Sequence, residues 1–299
     1  MLIPILTWLF ANAVLIGGTN FVAVSFSNME LPPLFGAALR FALASILFLI
    51  LIRISHVPLA RGRAAMGAVV YGVLGIGAAY ALLYYALVGL AAATVAVIIS
   101  AVPLFTMIIA VLLGQERLSV RGIVGSGLAI AGIAIISFGT LGGDLSPTYL
   151  VAAILGTIAI AASTVAAKAL PNVHPLNMNT IGMASGTLLL ILGSLLLGEK
   201  WLLPNQTNTW LALGWLVVLG SVGLFQLFLY VVRSWTASAT VYAVTAMPLV
   251  TVVIGAIMLN QPITPTVLAG GALVILAIYV GAIARFRPAK DYVRHRPVH

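Results

Sequence analysis

Ten apolar runs of about 20 residues each dominate the sequence, and that is the length a helix needs to cross the hydrocarbon core of a bilayer. They cover 3–25, 33–54, 65–88, 92–113, 122–139, 147–168, 178–198, 210–231, 238–259 and 266–286. Breakers separate them, among them Leu31-Pro32-Pro33, Gly142-Gly143-Asp144 and Pro204-Asn205-Gln206-Thr207-Asn208. The runs are too long for the strands of a membrane barrel and lack their alternation. No connector is long enough to hold a soluble domain. The expected class is an all-α membrane protein of ten transmembrane helices. A secretory signal peptide is the alternative for the first run. Against it, no Lys or Arg precedes the run, and its apolar core exceeds the usual length.

Only 6% of the 299 residues are charged, where a soluble domain carries about 25%. A chain so poor in charge cannot cover a surface that faces water. Its net charge of +9 would suggest nucleic acid in a soluble protein. Here the basic residues sit in short connectors and the tail, so membrane orientation accounts for them and no nucleic acid is expected. With the N-terminus in the cytoplasm, the inner loops and tail hold Arg53, Arg61, Arg63, Arg117, Arg121, Lys168, Arg233, Arg285, Arg287, Lys290, Arg294 and Arg296. The outer loops hold Lys200 alone, and Arg40 lies inside a run. Both termini are therefore expected in the cytoplasm, as in a bacterial inner membrane protein. With no cysteine in the chain, no disulfide or thiolate–metal site arises, and no metal or cofactor is expected.

Sliding the sequence by 145 residues aligns its halves without a gap. Between 81–133 and 226–278 twelve positions are identical, including Leu82/Leu227, Tyr85/Tyr230, Pro103/Pro248, Thr106/Thr251 and Gly125/Gly270. Five helices per half is an odd number, so equivalent segments must face opposite sides of the membrane. The charges agree. Arg61, Arg63, Arg117 and Arg121 correspond to Gln206, Asn208, Pro262 and Thr266, whereas Lys168, Arg233 and Arg285 correspond to Ala23, Val88 and Thr140. This pattern predicts two inverted five-helix repeats, 1–143 and 144–287, around a central cavity, followed by a basic cytoplasmic tail at 288–299. Inverted repeats are a recurring plan of secondary transporters.

Three further elements carry a family resemblance. They are Phe41-Ala42-Leu43 after Leu39-Arg40, the Leu-Gly-Gln-Glu-Arg-Leu-Ser run at 113–119, and Gly17-Gly18-Thr19-Asn20-Phe21-Val22-Ala23. With Pro103 in an Ala-rich fourth run, the chain resembles the drug/metabolite transporter superfamily in its ten-helix, EamA-type branch. The second copy of the acidic element, Leu259-Asn260-Gln261-Pro262-Ile263-Thr264, has lost its carboxylate. The resemblance implies export of amino acids, other metabolites or drugs, and within the branch the chain is most similar to aromatic amino acid exporters (YddG-type).

Enzyme and nucleotide-binding motifs are missing from the sequence. Glu30, Glu116, Asp144, Glu199 and Asp291 all lie outside the runs, and so do the four histidines. Proton-driven carriers commonly keep a titratable relay in the membrane, so a uniporter is expected. Arg40 is the one charge inside a run. Either it attracts a substrate carboxylate or locks the outer gate, or it bonds carbonyls as a structural anchor. Pro103 and Pro248 each remove a backbone hydrogen bond and could act as paired hinges, or as static kinks. Gly17 and Gly18 read as a hinge or as a close helix crossing.

Tyr80 and Tyr84, four apart on one helix face, could form an aromatic lining with Trp215, Tyr242 and Phe225. Such a lining would take aromatic or apolar side chains, or an ammonium. Thr19, Asn20, Ser100, Ser163, Thr164, Ser221, Gln226 and Thr245 are the polar candidates at middle depth, though Ser and Thr often bond back to their own helix. Gly122, Gly125, Gly127, Gly182, Gly186, Gly270 and Gly271 read as packing positions. The expectation is a monomeric exporter of small metabolites, amino acids first, working by alternating access in a lipid bilayer. The alternatives are an ion-coupled multidrug exporter, a channel, an intramembrane lipid-handling enzyme and a non-catalytic assembly subunit.

Overall fold

The computed structural model describes residues 2–90, 92–136, 146–170, 172–259 and 265–281, and their regular structure is helical. The boundary expected near 143 and the tail at 288–299 lie outside the described residues. In chain order the helices are α1 (Leu2–Ser27), α2 (Pro33–Ile54), α3 (Arg63–Gly72), α4 (Ala79–Gly89), α5 (Ala92–Ile99), α6 (Val102–Leu112) and α7 (Val120–Ile136). There follow α8 (Pro147–Lys168), α9 (Pro175–Leu196), α10 (Thr207–Val217), α11 (Leu224–Ser234), α12 (Ala237–Thr240), α13 (Tyr242–Leu259) and α14 (Pro265–Gly281). One π turn, Val73–Ala78, joins α3 to α4, and another, Val218–Gly223, joins α10 to α11.

Six helical segments are long and apolar enough to cross a membrane: Pro33–Ile54, Arg63–Leu87, Val95–Leu112, Pro147–Lys168, Pro175–Leu196 and Thr207–Ser234. Four apolar helices are shorter: Trp8–Val24, Val120–Ile136, Ala237–Thr251 and Leu268–Gly281. This is an integral membrane protein, and its exposed surface fits lipid: Leu112, Leu196, Leu211 and Leu268 are all at least 65% exposed.

Small residues bring the helices together, as expected where lipid removes the hydrophobic drive for helix association. The main pairs are α2 with α9, α7 with α14, α1 with α13, α1 with α10 and α11, α8 with α4, α8 with α6, and α3 with α9. Where α3 meets α9, a Cβ on Gly72 would overlap the Gly182 backbone, and one on Gly186 would stand 2.8 Å from the Gly72 carbonyl. Where α7 meets α14, a Cβ on Gly132 would stand 2.8 Å from the Gly270 carbonyl. Gly125 lies against Tyr242 and Gly281. Gly127 does not fit the packing expectation: nothing lies within 4 Å of its Cβ position, so it faces outward. Gly271 meets only Leu249, at an ordinary 3.4 Å.

Helix ends carry the three described acids. A helix start exposes backbone N–H groups and a partial positive charge, and a carboxylate satisfies both. The Glu199 carboxylate accepts from Leu34 N (3.1 Å) and Phe35 N (2.7 Å) at the start of α2, and from Ser194 Oγ (2.6 Å). Trp201 donates Nε1 to that same Ser194 Oγ (3.0 Å) and stacks on Phe35. Glu30 accepts from Asn205 N and Gln206 N, both at 3.1 Å, just before α10. Glu116 accepts from Ser238 N (3.0 Å) and Ser238 Oγ at α12. The start of α9 uses a neutral imidazole, in which His174 Nδ1 accepts from Leu176 N at 3.3 Å. Burial, and then the charge of Arg233, holds this histidine below its usual pKa and keeps that nitrogen free to accept. The sign follows: the cap is present above the ordinary histidine pKa and is lost as pH falls through the lowered one.

The α3–α9 crossing has room for no side chain. Gly72→Ala should therefore destabilise the protein by about 1–3 kcal/mol and lower its thermal unfolding midpoint in detergent. Gly127→Ala, placed in open space, should leave the midpoint unchanged.

Candidate functional site

A site inside a bilayer needs a polar group whose cost is offset by partners. Inside this bundle that group is Arg40. As the eighth residue of α2, it lies about 10 Å along that helix at 1.5 Å per residue. It is 4% exposed. Its Nε donates to Ser221 Oγ at 2.7 Å and its Nη2 to the Gly220 carbonyl at 2.8 Å. Both acceptors lie in the π turn Val218–Gly223. Asn20 of α1 donates Nδ2 to the same Gly220 carbonyl at 3.2 Å. Three helical segments thus converge on one backbone oxygen.

The π turn and its glycine explain the convergence. A π turn widens the helix by one residue and turns a carbonyl away from the regular ladder. Gly220 has no side chain, so the Asn20 amide lies flat against its Cα, and a Cβ there would overlap Asn20 Oδ1. That Oδ1 is buried and has no hydrogen-bond partner. The other π turn repeats the arrangement in a weaker form, with Ser163 of α8 packed on Gly75 so that a Cβ would stand 2.5 Å from its Oγ.

Energy decides whether Arg40 can lie inside the bilayer. A central guanidinium costs about 2.5–3.5 kcal/mol on insertion scales. Two hydrogen bonds from a charged donor contribute about 1.5–3 kcal/mol each. The Phe41 ring, 4.8 Å from Cζ, adds a cation–π contact. The partners cover the cost without a counter-ion, and no carboxylate of a described residue pairs with Arg40. Nη1 has no hydrogen-bond partner among the described residues.

An aromatic wall stands beside the cation. Phe41 packs edge-on to Tyr80 (4.9 Å) and to Phe225 (5.9 Å), and Tyr80 lies 6.2 Å from Tyr84. The structure brings Tyr80, Tyr84 and Phe225 together around Phe41. Phe41, the ring at their centre, was not anticipated, although its place after Arg40 was a signal. Two expected members stand elsewhere. Tyr242 is buried between α7 and α14, with its hydroxyl 3.4 Å from Ser126 Oγ and from the Gly122 carbonyl. Trp215 lines a lateral groove of about 510 Å³ with Thr19, Val22, Phe26, Leu211 and Ile254.

Most small polar candidates bond back to their own helices. Thr19 donates to Ile16 O, Ser100 to Val97 O, and Ser163 and Thr164 both to Ile160 O. The Gln226 Oε1 accepts from Asn179 Nδ2 at 3.0 Å, so this amide is tied to α9. The Thr245 hydroxyl is buried and has no partner. Gly17 and Gly18 lie at the α1–α13 crossing against Met247 and Val250, and Thr251 Oγ1 donates to the Gly18 carbonyl at 2.9 Å. The two prolines differ. Pro103 opens α6 just after a break at Ser100–Ala101, whereas Pro248 stays inside α13, and the break in that segment falls at Val241. No group of His, Asp and Glu that could hold a metal exists among the described residues.

Comparison with known proteins gives concordant findings. The profile of the EamA-like transporter family matches two successive stretches, 3–138 and 147–282. An uncharacterized transporter of Archaeoglobus fulgidus is 28% identical over 277 residues, covering 88% of this chain and 93% of the relative. The uncharacterized inner membrane transporter YedA of Escherichia coli is 26% identical over 296 residues, covering 98% and 95%. A solved crystal structure superposes with a TM-score of 0.79 at 20% identity, over 93% of this chain and 96% of the other, which shows a shared fold.

The Gly220–Asn20 contact can be tested by a double-mutant cycle. Gly220→Ala should lower the unfolding midpoint, because its Cβ meets the Asn20 amide. Adding Asn20→Ala should recover most of that loss, with a coupling of about 1 kcal/mol or more between the two positions.

Proposed function

The chain belongs to the EamA-like transporter family, and from that premise we propose that it carries small carboxylate-bearing metabolites, amino acids first, outward across the inner membrane. It is a membrane transporter whose relatives are themselves named transporters. The single observation that carries the substrate reading is Arg40, a buried cation with no carboxylate partner among the described residues, beside the ring wall of Phe41, Tyr80, Tyr84 and Phe225. A carboxylate would face the guanidinium, and an apolar or aromatic side chain, or an ammonium, would face the rings.

The mechanism we propose is alternating access by two inverted five-helix repeats, 1–143 and 144–287. Support comes from the doubled family match and from the two π turns, which are 145 residues apart. It comes also from packing pairs that recur under the same offset: α1 on α10 and α11 answers α8 on α3 and α4, and α1 on α13 answers α8 on α6. Both termini then lie in the cytoplasm, the working unit is a monomer, and the π turns join Pro103, Pro248, Gly17 and Gly18 as flexing points. With the described carboxylates all at helix ends, no titratable acid is placed to relay protons, and transport is uniport.

Reconstituted vesicles and a panel of labelled amino acids test this. Flux should be saturable, and collapsing a pH gradient should leave it unchanged. Arg40→Ala should cut flux of carboxylate substrates more than about tenfold, the value of one lost charge-assisted bond. Equal transport of decarboxylated analogues would remove the substrate reading, and uphill accumulation driven by protons would remove uniport.

A further inference from the structure

The two ends of the bundle are built unequally. At the end where α1 finishes and α10 starts, the lateral groove stands open between the two helices. The positions 145 residues away, where α8 meets α3, are packed differently. There the Leu170 side chain lies directly on Gly67, within the cluster formed by Ala68, Tyr71, Val165 and Val173.

Beside that filled end, the corner between α11 and α12 is fastened by charged and polar side chains. The Lys168 ammonium, at the end of α8, donates to the carbonyls of Val232 (2.9 Å), Arg233 (3.0 Å) and Trp235. These are among the carbonyls that a helix end leaves without intrahelical partners. The Glu116 carboxylate holds the N–H and hydroxyl of Ser238 on the far side of the corner. Gln115 adds a bond from Nε2 to the Val165 carbonyl of α8 at 3.3 Å. In the sequence, the positions 145 residues away hold Ala23 for Lys168, Gln261 for Glu116 and Asn260 for Gln115, so neither charge is repeated.

We propose that Lys168 and Glu116 are gate residues, positioning the α11–α12 corner so that the cytoplasmic side stays shut while the outer side is open. Inward opening requires their release. The gate rests on the alternating-access reading above. Neither residue touches substrate; each acts through the helix ends it holds. One-sided fastening biases the free carrier toward the outward-open state, and a bound substrate must supply the difference.

The chain has no cysteine, so an introduced thiol is the sole one. Thr19→Cys reports on the open groove, and Thr164→Cys reports on its buried counterpart in α8, where Thr164 is 1% exposed. Each is probed with a membrane-impermeant thiol reagent, from outside in right-side-out vesicles and from inside in inverted ones. The background is the parent chain, Lys168→Met or Glu116→Gln. In both gate variants, inside labelling of Thr164→Cys should rise about tenfold, and outside labelling of Thr19→Cys should fall. Lys168→Arg, which keeps a cationic donor, should restore much of the parent pattern. Should Lys168→Met fail to fold, Glu116→Gln alone carries the readout. Unchanged Thr164→Cys labelling in folded variants overturns the gate. A rise at Thr164→Cys without a fall at Thr19→Cys means that the two faces open independently, which overturns alternating access and the gate with it.

Discussion

Lipid offers the backbone no hydrogen-bond partner, and this constraint shapes the rest of the molecule. Helices solve it along their length but not at their ends. The chain has only five acids, and the three that are described all serve helix starts. Lys168 serves a helix end. The caps also cross the sequence. Glu30 and Glu116, from the first half, hold α10 and α12 of the second, and Glu199, from the second, holds α2 of the first. In a protein that is 6% charged, these four charges thus do two things together. They complete the hydrogen bonding of helix ends and they tie distant segments to each other.

The two π turns place a different limit on the middle of the bundle. Both carry Val-Leu-Gly, at 73–75 and 218–220, and both receive a polar side chain on the glycine. Their chemistry then diverges, since Ser221 in the second stands where Ile76 stands in the first. Only the second can offer a hydroxyl and a carbonyl to a guanidinium. Backbone geometry is repeated, while the polar site is made once. Under the proposed alternating-access reading, the repeated turns would let either face open, while the one polar site would hold the substrate.

Much of the helical layout was legible because bilayer thickness fixes the length of an apolar run, and the connectors contain strong breakers. Packing glycines were legible for the same reason, although Gly127 shows that a glycine in a membrane helix can simply face lipid. The π turns were not legible from periodicity, since one extra residue in a helix leaves the hydropathy of the run unchanged. Their signal was the repeated Val-Leu-Gly. Aromatic residues posed a harder problem. Tyr80 and Tyr84 share a face by spacing, but which face meets Arg40 depends on tertiary packing, and that packing sent Tyr242 to the α7–α14 contact and Trp215 to the groove. Thr19, Ser100, Ser163 and Thr164 followed the ordinary rule for hydroxyls in helices, bonding to carbonyls three or four residues back.

Arg40 also bears on how tightly such a site should hold its cargo. A guanidinium with no partner would bind a carboxylate so strongly that release would become the slow step. One locked in a full ion pair would have nothing to offer. Here neutral acceptors, the Gly220 carbonyl and the Ser221 hydroxyl, take two nitrogens and leave the charge itself uncompensated. The desolvation cost is largely met before any ligand arrives, so an incoming anion gains the Coulombic attraction without also having to stabilise the buried cation. Binding on these terms is moderate and depends little on the rest of the ligand, because the wall of Phe41, Tyr80 and Phe225 recognises surface rather than specific hydrogen-bonding groups. Under the proposed uniport reading, moderate affinity and easy release on both faces are what the carrier requires, and the partial satisfaction of one arginine would produce them.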